Sequence, residues 1–212
     1  MIAAAALDYP FTGRWLVQNS PADQVPSHGT HRFASAHAID FVPVDEDGRT
    51  APIRGRTLIA PEPPQRFPGF GRPILAPGPG TVLAIRSDAP DHDAHRGLPS
   101  LGYAVTQGRR AAGGWSALAG NHVLLRIGPH VIALCHLQRG SIVVRPGDPV
   151  RSGDLLGRCG NSGNSTEPHL HVQAMDGEDP DHAGAVPLTF GVAVTRGSGG
   201  ALPRSGEIVD VH

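Results

Sequence analysis

Short apolar runs, separated by glycine, proline, asparagine and aspartate, recur along most of the chain. AIDFVPV at Ala38–Val44 is apolar except for one acid, and Gly78-Pro79-Gly80 turns the chain into a strand expected over Thr81–Ile85. From Asn121 onward, HVLLRI, HVIALCHL, SIVV, LLGRCG and HLHVQAM follow one another at short intervals, and PLTFGVAV at 187–194 adds a further strand. No stretch of ten or more residues carries a 3.6-residue period with helix caps. The pattern predicts an all-β fold, a compact sandwich or barrel-like structure with long irregular loops. Residues 26–194 read as one domain. An irregular segment precedes it at 1–25, a surface insertion interrupts it at 87–118, and a loose glycine-rich tail follows at 195–212.

Composition narrows the chemistry. A chain of 212 residues suits a single domain, and 28 glycines with 21 prolines imply many turns. The formal net charge of −1 gives no electrostatic case for nucleic acid or an anionic membrane, and no apolar run approaches the ~18 residues of a membrane helix. All 18 basic residues are arginine. Without lysine, Schiff-base chemistry, a phosphate-binding loop and lipoyl or biotinyl attachment are excluded. The 12 histidines become the main candidates for chemistry. The N-terminus, Met1-Ile2-Ala3-Ala4-Ala5-Ala6-Leu7-Asp8, has no basic region before its apolar patch and does not read as a signal peptide. The chain as given is therefore expected in the cytoplasm, and outside the cell only if it is a mature or truncated form. Cys135 and Cys159 are too few for a disulfide framework, and buried free thiols are favoured over a single bridge.

Period-2 alternation says which side chains can meet. His169 and His171 in HLH point to one face of a strand. In HVIALCHL, alternation groups His130, Ile132, Leu134 and His136 and turns Cys135 away, so the strand offers His136 rather than Cys135. Asp40 interrupts an apolar strand, where an unpaired charge is costly. Three histidines and one aspartate at strand positions suit a zinc site of imidazole and carboxylate ligands with one position left open. Each signal alone is weak; their combination, with the glycine-rich approach GRCGNSGNSTEPHLH, is what carries the reading.

These residues resemble the lysostaphin/LytM-type zinc metallopeptidases. GNSGNSTEPHLH is similar to that family's lead into its His-x-His signature, HLQRGSIVVRPGDPVRSGDLLG to its glycine- and valine-spaced run, and APGPGTVLAI to a strand before it. The resemblance covers about residues 26–44 and 70–190 and is most specific from Gly120 to Gln173. It implies a mainly antiparallel β-fold. It also implies zinc held by Asp40, His171 and a histidine upstream, with His136 and His169 as the catalytic pair. The compact family spacing would put that third ligand at position 36, which is Ala36 here. Ser27-His28 ahead of AIDF resembles a divergent branch, so His28 leads, with His31 second and His37 third. Glu167 stands where the family has glycine, a departure at the groove edge that bears on substrate choice.

The implied activity is zinc-dependent hydrolysis of a peptide bond through a zinc-bound water, in peptidoglycan cross-links or similar small peptides. One of the two catalytic histidines would orient or deprotonate water and the other would stabilise the oxyanion or protonate the amine. The alternatives are a cytoplasmic peptidase that trims a peptide precursor, and a noncatalytic scaffold of the same fold that binds peptidoglycan or an amidase. A histidine phosphocarrier would leave Asp40 and the upstream histidine unexplained. Nothing in the sequence sets the oligomeric state.

Overall fold

The computed structural model describes residues 3–51, 60–95, 113–191 and 202–212. Among the described residues, thirteen strands follow the apolar runs: β1 (Ala5–Leu7), β2 (Gly13–Gln18), β3 (Ile39–Pro43), β4 (Pro73–Leu75), β5 (Gly80–Arg86), β6 (Asn121–Ile127) and β7 (His130–Leu137), then β8 (Pro149–Val150), β9 (Leu155–Arg158), β10 (Leu170–Met175), β11 (Ala185–Val186), β12 (Leu188–Phe190) and β13 (Ile208–Val211). One short helix, α1 (Gly114–Ala119), precedes β6. The fold is mostly β, as the alternation predicts. Among the described residues the sheets are open, without a closed barrel.

The main sheet runs β13-β2-β3-β10-β7-β6-β5-β8, with β11 added beside β10, and its pairings are antiparallel. Two small sheets, parallel β1-β12 and antiparallel β4-β9, lie over one of its faces. Between them sits the larger core, where Trp15, Phe41, Leu125, Ile132, Leu134, Leu170 and Val172 from the main sheet meet Leu7, Ile74, Leu156 and Phe190. Burying each such side chain contributes on the order of 1.5–3 kcal/mol. The opposite face of the central strands is covered locally by α1 and by a 3-10 turn at Arg32–Ala34, over Val131, Ala133, Cys135 and Met175.

Several sequence expectations are corrected here. The segment 1–25 is not irregular: β1 and β2 supply Leu7, Trp15 and Val17 to the core, through strands too short to show a clear period. The tail 195–212 is not loose throughout, because β13 pairs with β2 along Ile208–Val211; residues 195–201 lie outside the described residues. SIVV forms no ladder. Of the expected insertion at 87–118, residues 96–112 lie outside the described residues, while both flanks belong to the fold. On one flank Ala89 and Ala94 are buried and Asp91 bridges to Ser162; on the other, α1 buries Trp115 and Ala119.

Candidate metal centre and active site

Register brings the first two residues of the site together. β3 and β10 are antiparallel neighbours, and Asp40 is paired directly with His171. Ile39 and Phe41 on β3 enter the core, as do Leu170 and Val172 on β10, so Asp40 and His171 both face the opposite side. There the carboxylate oxygen Oδ1 lies 2.9 Å from His171 Nδ1. His28 arrives from a loop, its Nε2 3.1 Å from Asp40 Oδ2. Among the described residues, His28, Asp40 and His171 form the group whose donor atoms, one from each, all lie within 4.8 Å of one another. Of the other two upstream histidines, His31 is exposed and neither it nor His37 lines the site. His37 sits in a turn before β3.

His136 and His169 complete the cluster. Their ring centroids are 4.6 Å apart, His136 is 5.9 Å from His171 by the same measure, and His169 Nε2 is 3.8 Å from Asp40 Oδ1. How His136 gets there differs from the alternation argument. Val123 is paired with Leu134 and Asn121 with Leu137, so β7 carries one extra residue between these pairs. His136 has φ +64 within this bulge. The bulge shifts the phase of the strand: Leu134 and Leu137 both enter the core, while Cys135 and His136 both line the site. Cys135 is thus not on the far side. Burial, with the nearby Asp40 charge adding to it, pushes its thiol above the ordinary range, and Cys159 is likewise free and buried elsewhere in the core.

The partners of each imidazole fix which nitrogen it presents. Carbonyl oxygens only accept, so His136 Nδ1–H donates to Ser162 O at 2.9 Å and His169 Nδ1–H donates to Glu167 O at 2.8 Å. The Ser27 hydroxyl donates to Ala38 O at 2.7 Å and therefore accepts from His28 Nδ1–H at 3.0 Å. The Gln173 amide nitrogen donates to Phe33 O at 2.9 Å, which turns its oxygen to accept from His171 Nε2–H at 3.0 Å. In their neutral forms His28, His136 and His169 present a bare Nε2 to the cavity, and His171 a bare Nδ1. Two of these lone pairs face the Asp40 carboxylate at 3.1 and 2.9 Å, acceptor against acceptor. Such a meeting needs a proton or a cation between the groups, and two imidazoles with one carboxylate fit a divalent zinc.

Electrostatics follow the same geometry. Burial alone would raise the Asp40 carboxyl, but a charged His28 and, where a proton bridges the contacts, hydrogen bonds from His171 and His28 outweigh it and hold the group well below the usual range. Burial would lower His28, and Asp40 raises it instead. His136 is held well below the usual imidazole range by burial and then by His169 and His171, which keeps it an unprotonated base.

The glycine-rich approach has a steric reason. A Cβ at Gly160 would lie 2.3 Å from Gln138 N, and one at Gly163 2.4 Å from Leu118 O, so the loop can pass over β7 and α1 only without side chains there. Asp91 latches it further, accepting from Asn161 N at 2.7 Å and Arg139 N at 2.9 Å. The resulting cavity of about 590 Å³ is lined by the cluster and by Gln24, Phe33, Trp115, Thr166 and Glu167 among others. Asn19, Ser27 and Gln173 are site residues that the sequence pattern does not single out. In the sequence Ser27 stands out only as half of the Ser-His pair. Gln173 was signalled by period 2, as a polar residue on the His171 face. Asn19, which donates to Asp40 Oδ2 at 2.7 Å from the end of β2, had no signal.

Residues 91–182 match the model of Peptidase family M23. That segment of the chain is similar to the M23 peptidases. Over 90 residues it is 30% identical to glycyl-glycine endopeptidase ALE-1 of Staphylococcus capitis, a match spanning 41% of this chain and 24% of that protein. It is 32% identical to lysostaphin of Staphylococcus simulans over 90 residues, 41% of this chain and 18% of that protein. The match thus spans a quarter or less of the length of these curated relatives. Among solved structures, the catalytic domain of lysostaphin from S. simulans is 16% identical, with 87% of this chain and 88% of that one covered and a TM-score of 0.40. The catalytic domain of the prophage-encoded M23 protein EnpA from Enterococcus faecalis is 21% identical, with 72% and 75% covered and a TM-score of 0.40. The M23 domain match includes His136, His169 and His171; His28 and Asp40 lie outside it.

Proposed function

We propose that the protein is a zinc-dependent endopeptidase acting on the peptide cross-links of peptidoglycan or on similar small peptides. The observation that carries this reading is the convergence of His28 Nε2, Asp40 and His171 Nδ1, with two further imidazoles aimed at the same space. His28, Asp40 and His171 would hold the metal. Bound there, zinc supplies Lewis acidity towards a carbonyl oxygen and acidifies water. His136, kept unprotonated by burial, takes a proton through Nε2 and passes it to the departing amine. His169, its Nδ1–H committed to Glu167 O, directs its other nitrogen at the reacting carbonyl or its water. The name of one matched relative, a glycyl-glycine endopeptidase, supports a glycine-containing substrate. Metal analysis of the purified chain, with hydrolysis of a pentaglycine peptide and of purified peptidoglycan, tests this. About one zinc per chain and cleavage that a chelator abolishes are expected. A folded chain that takes up no zinc, or cleaves equally well without it, overturns the reading.

A further inference from the structure

Asp40 and His171 are held by ladder register, whereas the loop bearing His28 has no ladder to the sheet, and one side chain of β10 reaches across to it. Gln173 is that side chain. It is buried, and it stands two residues beyond His171 on the same face of β10. Its amide oxygen accepts from His171 Nε2–H at 3.0 Å, with Trp115 Nε1 of α1 at 3.5 Å on the same oxygen. Its amide nitrogen donates to Phe33 O at 2.9 Å. Phe33 and Ala34 are both left-handed, at φ +59 and +55, although neither is glycine. A conformation that disfavoured persists only when the surroundings over-determine it. The turn they make closes the loop that begins at Ser27 and His28, which is also tied by Ser27 N donating to Ala36 O at 2.9 Å and the Ser27 hydroxyl donating to Ala38 O at 2.7 Å.

We propose that Gln173 is the positioning residue of the metal centre and acts on both of its histidines. Its oxygen sets the tautomer in which His171 offers Nδ1, and its nitrogen anchors the Phe33–Ala34 turn that carries His28 to Asp40. The proposal rests on the metal reading above only for its consequence; the tautomer and the loop anchor are properties of the chain without metal. Orienting partners of ligating histidines typically govern metal affinity by ~10–100-fold.

Two variants separate the two hydrogen bonds. Gln173→Glu keeps the acceptor for His171 Nε2–H and loses the donor to Phe33 O; Gln173→Met loses both at similar volume. Imidazole ¹⁵N spectra of the full, metal-stripped chain at ~pH 8, above the ordinary imidazole range, read the tautomer. The Nε2–H form of His171 is expected in the native chain and in Gln173→Glu, and a mixture or the Nδ1–H form in Gln173→Met. Chelator competition should then show zinc affinity falling ~10–100-fold in Gln173→Met and by less in Gln173→Glu. A folded Gln173→Met chain with native tautomer and native zinc affinity overturns the proposal. Should that variant not fold, an Nδ1–H His171 in Gln173→Glu overturns it equally. A native chain that binds no zinc while its tautomer follows residue 173 would contradict the proposed function and leave the positioning role standing.

Discussion

His171 and His28 reach one carboxylate by different routes. On the sheet side, Asp40 and His171 are paired across β3 and β10, and their neighbours Ile39, Phe41, Leu170 and Val172 are locked in the core. Moving either residue means breaking a ladder. On the loop side, His28 hangs between a serine hydroxyl and a left-handed turn, in a segment whose buried residues are the small Ala34, Ala36 and Ala38. The sheet supplies precision through many backbone bonds, and the loop supplies one donor through a few side-chain bonds. Site geometry should therefore fail first on the loop side, and the metal should be what completes that wall.

The comparison can be broken at its weakest point. Replacing His28 with Ala should reduce zinc affinity by more than the ~10–100-fold typical of an orienting partner, with activity lost alongside, whereas His31→Ala should leave both near native. Chelator competition on the two folded variants decides it, and a zinc-free His31→Ala chain would reverse the assignment. On the sheet side, His136→Ala and His169→Ala should each cost ~10²–10⁴-fold in turnover while zinc stays bound; loss of the metal from both would show that their roles are wrongly divided. A smaller loss tests the loop tie: Ser27→Ala frees His28 Nδ1 and should weaken zinc binding ~10-fold, read in the same titration.

Protons compete with zinc for this pair. Asp40 raises His28, so below that raised value a proton occupies Nε2 and must be displaced. In the metal-free chain the His28–Asp40 pair stabilises the fold while His28 is protonated, and that contribution is lost as pH rises through the raised His28 value. It is also lost at the acid end, as pH falls through the lowered Asp40 value. The rise in melting temperature on adding zinc should accordingly be larger at ~pH 8 than at ~pH 6, straddling the ordinary imidazole value. An equal rise at both would deny the coupling. The smallest effect belongs to Cys135→Ser: the thiol lines the site but is held protonated, so zinc affinity should change by no more than a few-fold.

The sheet wall was also the legible one. A polar residue on alternate positions of an apolar strand is a readable sign, and it pointed to His169, His171 and Asp40. It applied equally to Gln173, whose amide offered no reason to be singled out until Phe33 O and His171 were seen on either side. The extra residue in β7 was unreadable because a bulge is a property of the pairing of two strands; HVIALCHL alone keeps one phase and misplaces Cys135. The loop was harder still. Nothing in SHGTHRFASAH marks Phe33 and Ala34 as left-handed, since the turn is imposed by contacts to a strand about 140 residues away. The Ser27-His28 pair was singled out through family resemblance, where spacing could not choose among three histidines.

Diffraction at the zinc absorption edge from crystals of the zinc-loaded chain tests the central claim most directly. The account predicts one strong anomalous peak per chain, bounded by His28 Nε2, the Asp40 carboxylate and His171 Nδ1, with metal–nitrogen distances of about 2.0–2.1 Å. A peak bounded instead by His31 or His37, or no peak at Asp40 in a folded, zinc-loaded crystal, would contradict it.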